Sequence, residues 1–502
     1  MKYVIGIDLG TSAVKVLLVN LYGKVEQEIS KEYPLIQKKS GYNEQNPELW
    51  VAQTISALRE LISGFGGRPE DIEGISFSGQ MHGLVLLDKN HEVICPAILW
   101  NDTRTTKECE EITEAIGYQK LLGITKNIAL EGFTLPKILW VKNHEPENYK
   151  QISHFLLPKD YLRFRMTGAL HSEFSDAAGT LLLDIENSSW SDEICRILDI
   201  DINMCPPLIS SHECVGTITN EFADETGLNQ STKIFAGGAD NACGAIGSGI
   251  LEEGRTMVSI GTSGVVLAHE KNNDKSFDGK VHYFDHAVPD SYYTMGVTLS
   301  AGHSFSWFKN TFAETEEYEA LIEEAENTPV GSDGLLFSPY LSGERTPHVD
   351  ASIRGSFIGM DSRHERKHFT RAVLEGITFS LNESIEIFRE NGKEVEKIIS
   401  IGGGAKSEIW LQMQADIFNG EVTKLTSEQG PGMGAAMLAA YGTGWFNSLK
   451  ECANIFLSED KTFTPIRENV EKYQYLFEQY KLIYSSTKEI NEKLVAFREQ
   501  SL

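Results

Sequence analysis

Cysteine is scarce: seven in 502 residues (Cys95, Cys109, Cys195, Cys205, Cys214, Cys243 and Cys452), with no CxxC pair and no cysteine–histidine ligand spacing. That excludes a disulfide scaffold and a zinc ribbon, and points to a reduced, cytoplasmic protein. Long hydrophobic runs are missing too, and no apolar stretch approaches the ~18 residues that a membrane helix needs. The first apolar run contains Asp8 and no small-residue cleavage pattern, so it does not read as a signal peptide. Basic residues are in deficit, 45 Lys+Arg against 72 Asp+Glu, for a formal net charge of -27. Such a surface repels phosphate backbones and anionic lipid, so neither nucleic acid nor membrane is an expected partner. No basic helix-turn-helix precedes the first strand, which removes a DNA-binding regulator. Low-complexity segments and short-period repeats are also lacking. With 41% hydrophobic residues, a chain of this length builds its core without staples, in roughly two to four domains.

What remains is an alternation of strand-like and helix-like segments. Tyr3–Leu9, Val14–Val19 and Val25–Tyr33 read as consecutive strands joined by short turns, and therefore antiparallel. A helical stripe starts at Pro47 and stops at Gly64–Gly67; strands are expected at Gly74–Phe77 and Leu84–Leu87, and helices over 105–122 and 134–150. A second half opens near Gly247–Gly254 with a strand at Thr256–Ile260. Further strands are expected at Gly334–Phe337 and Lys397–Ile401, and helices over 368–390, 407–419, 433–442 and 466–495. The expectation is two α/β domains, residues 1–246 and 247–502, the second ending in a surface helix.

Met257–Ser263 echoes Ile5–Ser12: each is a buried strand delivering Gly-Thr-Ser to a hairpin tip, with Ser259 standing where the first copy has Asp8. Glycine at such a tip lets backbone N–H groups approach an anion, and the hydroxyls add donors. Two facing tips suit the two ends of a polyphosphate, and Asp8 suits Mg²⁺, directly or through water. The plainer alternative is that Gly-Thr-Ser only turns the chain. Ser400–Ser407 joins a strand to a helix but is no Walker A loop, because Ser400 and Ala405 stand where glycines belong. Its three glycines still let a flat ligand or a phosphate lie against backbone. Gly430–Ala435 fits a loose dinucleotide fingerprint behind the strand-like Glu421–Thr426, although Pro431 removes an N–H. Asp240 follows a Gly-Gly turn and opens a run of small residues that can form a closely packed helix; it is either a helix cap or a general base. Met81 and His82, in the polar turn Ser78–Gly83, can line a sugar site.

These residues resemble the FGGY carbohydrate kinases of the actin-like ATPase superfamily. Gly132–His144 looks like the first family signature; Gly355–Met360, followed by His368-Phe369 and Ala372–Glu375, looks like the second. The similarity runs from residue 3 to about 445. Within the family, Ser78–Gly83, Ile98–Arg104, Leu157–Tyr161 and Tyr340–His348 are most similar to the xylulokinase branch. The resemblance implies two actin-like (ribonuclease H-like) ATPase domains flanking a central cleft, and phosphorylation of D-xylulose at O5 by ATP with Mg²⁺. Another pentulose, a polyol or gluconate is the rival substrate, and a non-enzymatic nucleotide-binding protein is the rival class.

By the same resemblance Asp240 is the catalytic base and Asn241 its substrate-facing neighbour. Met81 and His82 are sugar residues, with Trp100 and Asp102 as further sugar-side candidates. Asp8 is the metal carboxylate; Thr11, Ser12, Gly261 and Thr262 form the phosphate turns; Gly302, Gly404 and Ala405 contact the nucleotide. Some relatives carry Asn where Glu408 stands, so the resemblance assigns no adenine-side role to Glu408 and leaves the choice between it and Ser407 open. A carboxylate of ordinary pKa is sufficient at Asp240, since the hydroxyl turns acidic only as its bond to phosphorus forms. Gly247–Gly254 is the expected hinge, and relatives of this kind are often homodimers.

Overall fold

A computed structural model describes residues 1–426 and 428–500. The apolar run Tyr3–Leu9 becomes β1, and with β2 (Ala13–Asn20) and β3 (Val25–Glu32) it forms the expected antiparallel ribbon. β1 and β2 are buried along most of their length, whereas β3 alternates polar outward positions, as an edge strand should. Helix α1 (Pro47–Gly64), capped by Asn46 with Pro47 at its first position, covers one face. β4 (Ile72–Gly79) then joins β1 in parallel. β5 (Cys214–Thr217) and β6 (Lys233–Phe235) complete the sheet in the order β5-β6-β4-β1-β2-β3.

The second sheet repeats this design. β7 (Arg255–Ile260), β8 (Gly264–Glu270) and β10 (Tyr292–Thr298), with β9 (His282–Asp285) at the edge, are antiparallel. β11 (Lys397–Gly402) and β12 (Glu421–Leu425) follow in parallel, and β13 (Glu459–Phe463) closes the far edge antiparallel. The order β9-β10-β8-β7-β11-β12-β13 reproduces the first sheet with one added edge strand. The short sequence echo is thus a structural one, with Asp8 and Ser259 at equivalent places near the ends of β1 and β7.

Two helices cross at the junction of the sheets: α2 (Asp240–Gly247) and α4 (Gly430–Gly442), with the long α3 (Arg366–Glu390) lying between them in the chain. Their glycines are packing devices. A Cβ on Gly434 would stand 1.9 Å from the Cys243 carbonyl oxygen, and one on Gly6 of β1 would stand 2.1 Å from that of Gly432. The dinucleotide reading of Gly430–Ala435 loses its support: Gly434 faces the Cys243 backbone and Gly432 the Leu17 side chain, so these glycines serve helix packing and not a pyrophosphate. Because α4 lies against β1 and β4 as well as α2, the second half of the chain returns to the first sheet.

Two expected helices are each broken in two. Gly117, at φ +90°, separates Thr106–Ile116 from Tyr118–Thr125. Pro146 forces Glu145 out of helical geometry between Thr134–His144 and Pro146–Tyr149. The final helix, α5 (Arg467–Gln500), is more than a surface element, since Tyr473, Phe477 and Tyr480 are buried around Phe379 of α3. Among the described residues no helix is long and apolar enough to cross a membrane.

Candidate active site at the junction of the two sheets

Strand pairing sets the site. Asp8 of β1 is level with Ser78 of β4, and Gly238-Ala239 pairs with Ser78-Gly79 from the other side. Asp8 and Asp240 thus leave the sheet on opposite flanks of the carboxyl end of β4, and Gln80-Met81-His82 continues between them. Burial raises the Asp240 carboxyl to about 7; the Asp8 charge adds to the rise and the Asn241 N–H, 2.7 Å away, opposes it. Burial also raises Asp8, against the pull of Ser78 and of Lys15, which stands directly opposite on β2. Two like charges near one strand end oppose each other's ionisation, and Lys15 favours the anion at Asp8. A carboxylate of ordinary pKa would suffice for the chemistry; desolvation and the Asp8 charge raise this one.

Around this pair, Asn241 Nδ2 donates to Asp240 Oδ1 (3.0 Å) and approaches Met81 Sδ (3.5 Å). His82 has φ 66° and bonds through Nδ1 to the Gly179 carbonyl at 2.5 Å. The His82 carbonyl accepts from Thr134 Oγ1 (3.0 Å) and from Lys137 Nζ (2.9 Å), whose ammonium burial pulls down to about 7. The structure thus brings Asp8, Met81, His82, Asp240 and Asn241 together.

The first Gly-Thr-Ser turn is braced from behind: Gln45 Nε2 donates to the Thr11 carbonyl (2.7 Å), and the Tyr33 hydroxyl donates to that of Gly10. The Trp100 indole donates to Thr11 Oγ1 at 2.9 Å, which leaves the hydroxyl proton of Thr11 free to point at an anion. At the second turn the N–H groups of Gly302 and His303 donate to the carbonyls of Gly261 (2.8 Å) and Thr262 (3.0 Å). A Cβ on Gly302 would lie 2.4 Å from the Gly261 oxygen, so the helix Gly302–Phe312 starts on glycine. Beside this turn a cavity of about 580 Å³ is lined by Gly261, Thr262, Tyr318, Gly403, Lys406, Ser407 and Trp410 among others. Its size and mixed lining suit a nucleoside.

Several expected site residues stand elsewhere. Asp102 is buried, and its oxygens take the Arg104 guanidinium (2.7 and 2.9 Å) and the Asn43 N–H (2.6 Å). It braces the 99–104 loop and offers no free carboxylate to a sugar. Trp100, 45% exposed, is tied to the first phosphate turn. Gly404 and Ala405 are buried, with a Gly404 Cβ only 2.6 Å from Ile260 Cδ1, so Gly403 and Lys406 line the cavity in their place. Ser407 lines it and caps the next helix through Trp410 N (3.3 Å), whereas exposed Glu408 pairs with Lys461 at 2.6 Å.

Sequence reasoning missed the support beneath Asp240. Lys159, Asp160, Arg163, Glu173 and Asp176 are fully buried together. Lys159 Nζ reaches Asp160 at 2.7 Å and Asp176 at 3.1 Å, and Arg163 reaches Asp160 at 2.9 Å. Ser175, bonded to Glu173 (2.7 Å), accepts the Ala239 N–H at 3.0 Å, one residue before Asp240. The adjacent charges of Leu157–Tyr161 were the one signal, unreadable without their partners.

Among the described residues no group of three His, Cys, Asp or Glu could hold a metal. Asp8, half-buried at the end of β1 and with its charge acting on Asp240, nevertheless fits a Mg²⁺ that arrives on phosphates and keeps its waters, since the cation would relieve that repulsion.

Known proteins bear on this geometry. The N-terminal domain model of the FGGY family of carbohydrate kinases matches residues 3–247, and the C-terminal domain model matches residues 256–443. The chain is 62% identical to the xylulose kinase of Bacillus subtilis (strain 168), over 99% of this chain and 100% of that one. A ligand-bound xylulose kinase from Lactobacillus acidophilus superposes with TM-score 0.94 at 30% identity, covering 98% of this chain and 100% of the other. The gluconate kinase from the same organism gives TM-score 0.93 at 30% identity, covering 97% and 98%. Two sheets of one design, paired Gly-Thr-Ser turns and an aspartate pair at their junction thus coincide with matches across nearly the whole chain, which belongs to the FGGY family of carbohydrate kinases.

Proposed function

We propose that the chain transfers the γ-phosphoryl group of ATP, as its Mg²⁺ complex, to O5 of D-xylulose, giving D-xylulose 5-phosphate and ADP. The observation that carries this reading is Asp240, raised to about 7 between Asp8 and the Met81–Asn241 pair. The full-length likeness to xylulose kinases supports the sugar. Asp240 accepts the O5 proton as the bond to phosphorus forms, and Asn241 holds its carboxylate in place. The turns at Thr11 and Thr262 supply N–H and hydroxyl donors to the triphosphate, while the cavity beside Ser407 takes the nucleoside. Mg²⁺ at Asp8 neutralises phosphate charge when bound. Such transfers pass through a loose transition state, so positioning and charge complementarity outweigh base strength. Water is the competing acceptor, and residues from both sheets must assemble around the sugar to disfavour it.

Asp240→Asn tests the role: kcat falls about a thousandfold while the Kd for ATP stays within a few fold. Near-normal turnover in that variant removes Asp240 from proton acceptance. An ADP-release panel over pentuloses, hexoses, polyols and gluconate tests the substrate, with gluconate included because of its kinase among the structural neighbours.

A further inference from the structure

Helix α5 is apolar on two opposite faces, and the chain itself covers one of them. The inner face carries Tyr473, Phe477 and Tyr480 into the core and continues through Tyr484, whose ring stacks on His348 at 3.7 Å. A helix with its other side in water places polar residues there. The outer face of α5 instead exposes Tyr475 (69%), Leu482 (56%), Ile490 (59%), Leu494 (48%) and Phe497 (67%). Single exposed apolar residues are ordinary, but five along one helix face mark a contact surface. At about 200 Å² per side chain, those fractions leave on the order of 600 Å² open on each copy. Two copies joined there would cover about 1,200 Å², above the ~1,000 Å² that a specific interface needs.

The order of residues along this face says what covers it. Tyr475, Leu482, Ser486, Ile490 and Phe497 follow one another at intervals of 7, 4, 4 and 7 residues, which keeps them on one side of the helix. The pattern is symmetric about Ser486: aromatic, branched aliphatic, small, branched aliphatic, aromatic. Such a stripe is complementary to itself when a second copy runs antiparallel with Ser486 on the two-fold axis. Tyr475 of one copy then meets Phe497 of the other, and Leu482 meets Ile490, over about 33 Å of helix. The small, exposed Ser486 lets the two backbones approach at the axis.

Charge fixes the direction. Antiparallel pairing sets Lys493 level with Gln479 and one residue from level with Glu478, whereas parallel pairing opposes Lys493 to Lys493 and Glu478 to Glu478. Within the chain each pairs on its own helix, Lys493 with Glu489 (2.5 Å) and Glu478 with Lys481 (2.7 Å). Exposed pairs of that kind are worth little and are easily exchanged. No acidic residue stands on the stripe itself, so the net charge of -27 is not concentrated where the copies meet. We infer that the outer face of α5 is a homodimer interface, occupied by α5 of a second copy of this chain packed antiparallel about Ser486. The inference does not depend on the sugar-kinase reading.

Sedimentation velocity of the full chain at micromolar concentration should give a particle of twice the chain's mass. Leu482→Glu with Ile490→Glu should raise the dimer Kd at least about a hundredfold, with the circular dichroism spectrum and the turnover per chain unchanged. Glu478→Lys and Lys493→Glu should each weaken the dimer about tenfold, and the two together should restore it. A short bismaleimide should join Ser486→Cys chains into dimers. It should leave wild type unjoined, and also Gln479→Cys, whose thiols lie about 21 Å apart in an antiparallel pair. A wild-type chain that sediments as a monomer overturns the inference. A dimer that survives Leu482→Glu with Ile490→Glu has its interface elsewhere, and cross-linking at Gln479→Cys as strong as at Ser486→Cys makes the pairing parallel; either result overturns it too. The charge exchange and the cysteines are mild changes on an exposed face, so they decide the matter even where the doubly substituted apolar variant does not fold.

Discussion

Asp240 and Asp8 stand as like charges on two sides of one strand end, and that arrangement gives the chain a measurable pH signature. The native chain holds a proton at Asp240 between the ordinary carboxylate value of 3.8 and about 7, whereas the unfolded chain has released it. The unfolded state binds fewer protons in that window, so this group's contribution to stability declines as pH climbs through it. Asp240→Asn, which carries no charge, should melt about 1–2 °C above wild type at pH 8, the gap closing toward pH 4; thermal scans across that range check it. Activity runs the other way. For a base that must be ionised, kcat/KM climbs about tenfold per pH unit below about 7 and flattens above, as a pH–rate profile would read.

At the scale of elements, two devices hold Asp240 in place. The buried ionic group beneath it has two cations, Lys159 and Arg163, against three carboxyls, Asp160, Glu173 and Asp176. Burial lifts Asp176 well above the usual carboxylate range against the pull of Lys159, with Asp160 and Glu173 adding to the rise. Asp176→Asn removes the carboxylate that this surplus of acid disfavours and should change stability by no more than about 1 kcal/mol. Lys159→Met leaves the buried carboxyls short of a cation and should cost about 3–5 kcal/mol in urea unfolding. The second device is the crossing of α2 and α4. Gly434→Ala places a methyl group against the Cys243 carbonyl and should cost about 2–3 kcal/mol by the same measurement.

At the scale of the whole molecule, the two halves meet around Met81 and His82: Met81 Sδ accepts from the Tyr293 hydroxyl at 3.8 Å, and the His82 ring lies 6.0 Å from that of Phe284. A pocket whose walls come from both halves gains from their approach, and the two crossing helices, with the loop 248–254 carrying Gly249 and Gly254 in left-handed geometry, are where we propose that bending occurs. Small-angle scattering with D-xylulose and a non-hydrolysable ATP analogue should give a smaller radius of gyration than the free chain. An unchanged radius argues against closure.

Much of this was legible in the chain itself. The β1–β2–β3 ribbon announced itself through β-branched runs and short turns, and the Gly-Thr-Ser echo pointed to a second sheet of like design. The small-residue runs after Asp240 and Gly430 were visible as well, although only the contact between them tells a helix crossing from a dinucleotide cradle. Local pattern is a property of a few consecutive residues, and it is enough to set strand, turn and helix. The raised proton affinity of Asp240, the occupied carboxylate of Asp102 and the bonds that hold the rings of His82 and His282 come from desolvation, Coulomb forces and hydrogen bonds to residues far apart in the chain. Those quantities exist only once folding has set the distances.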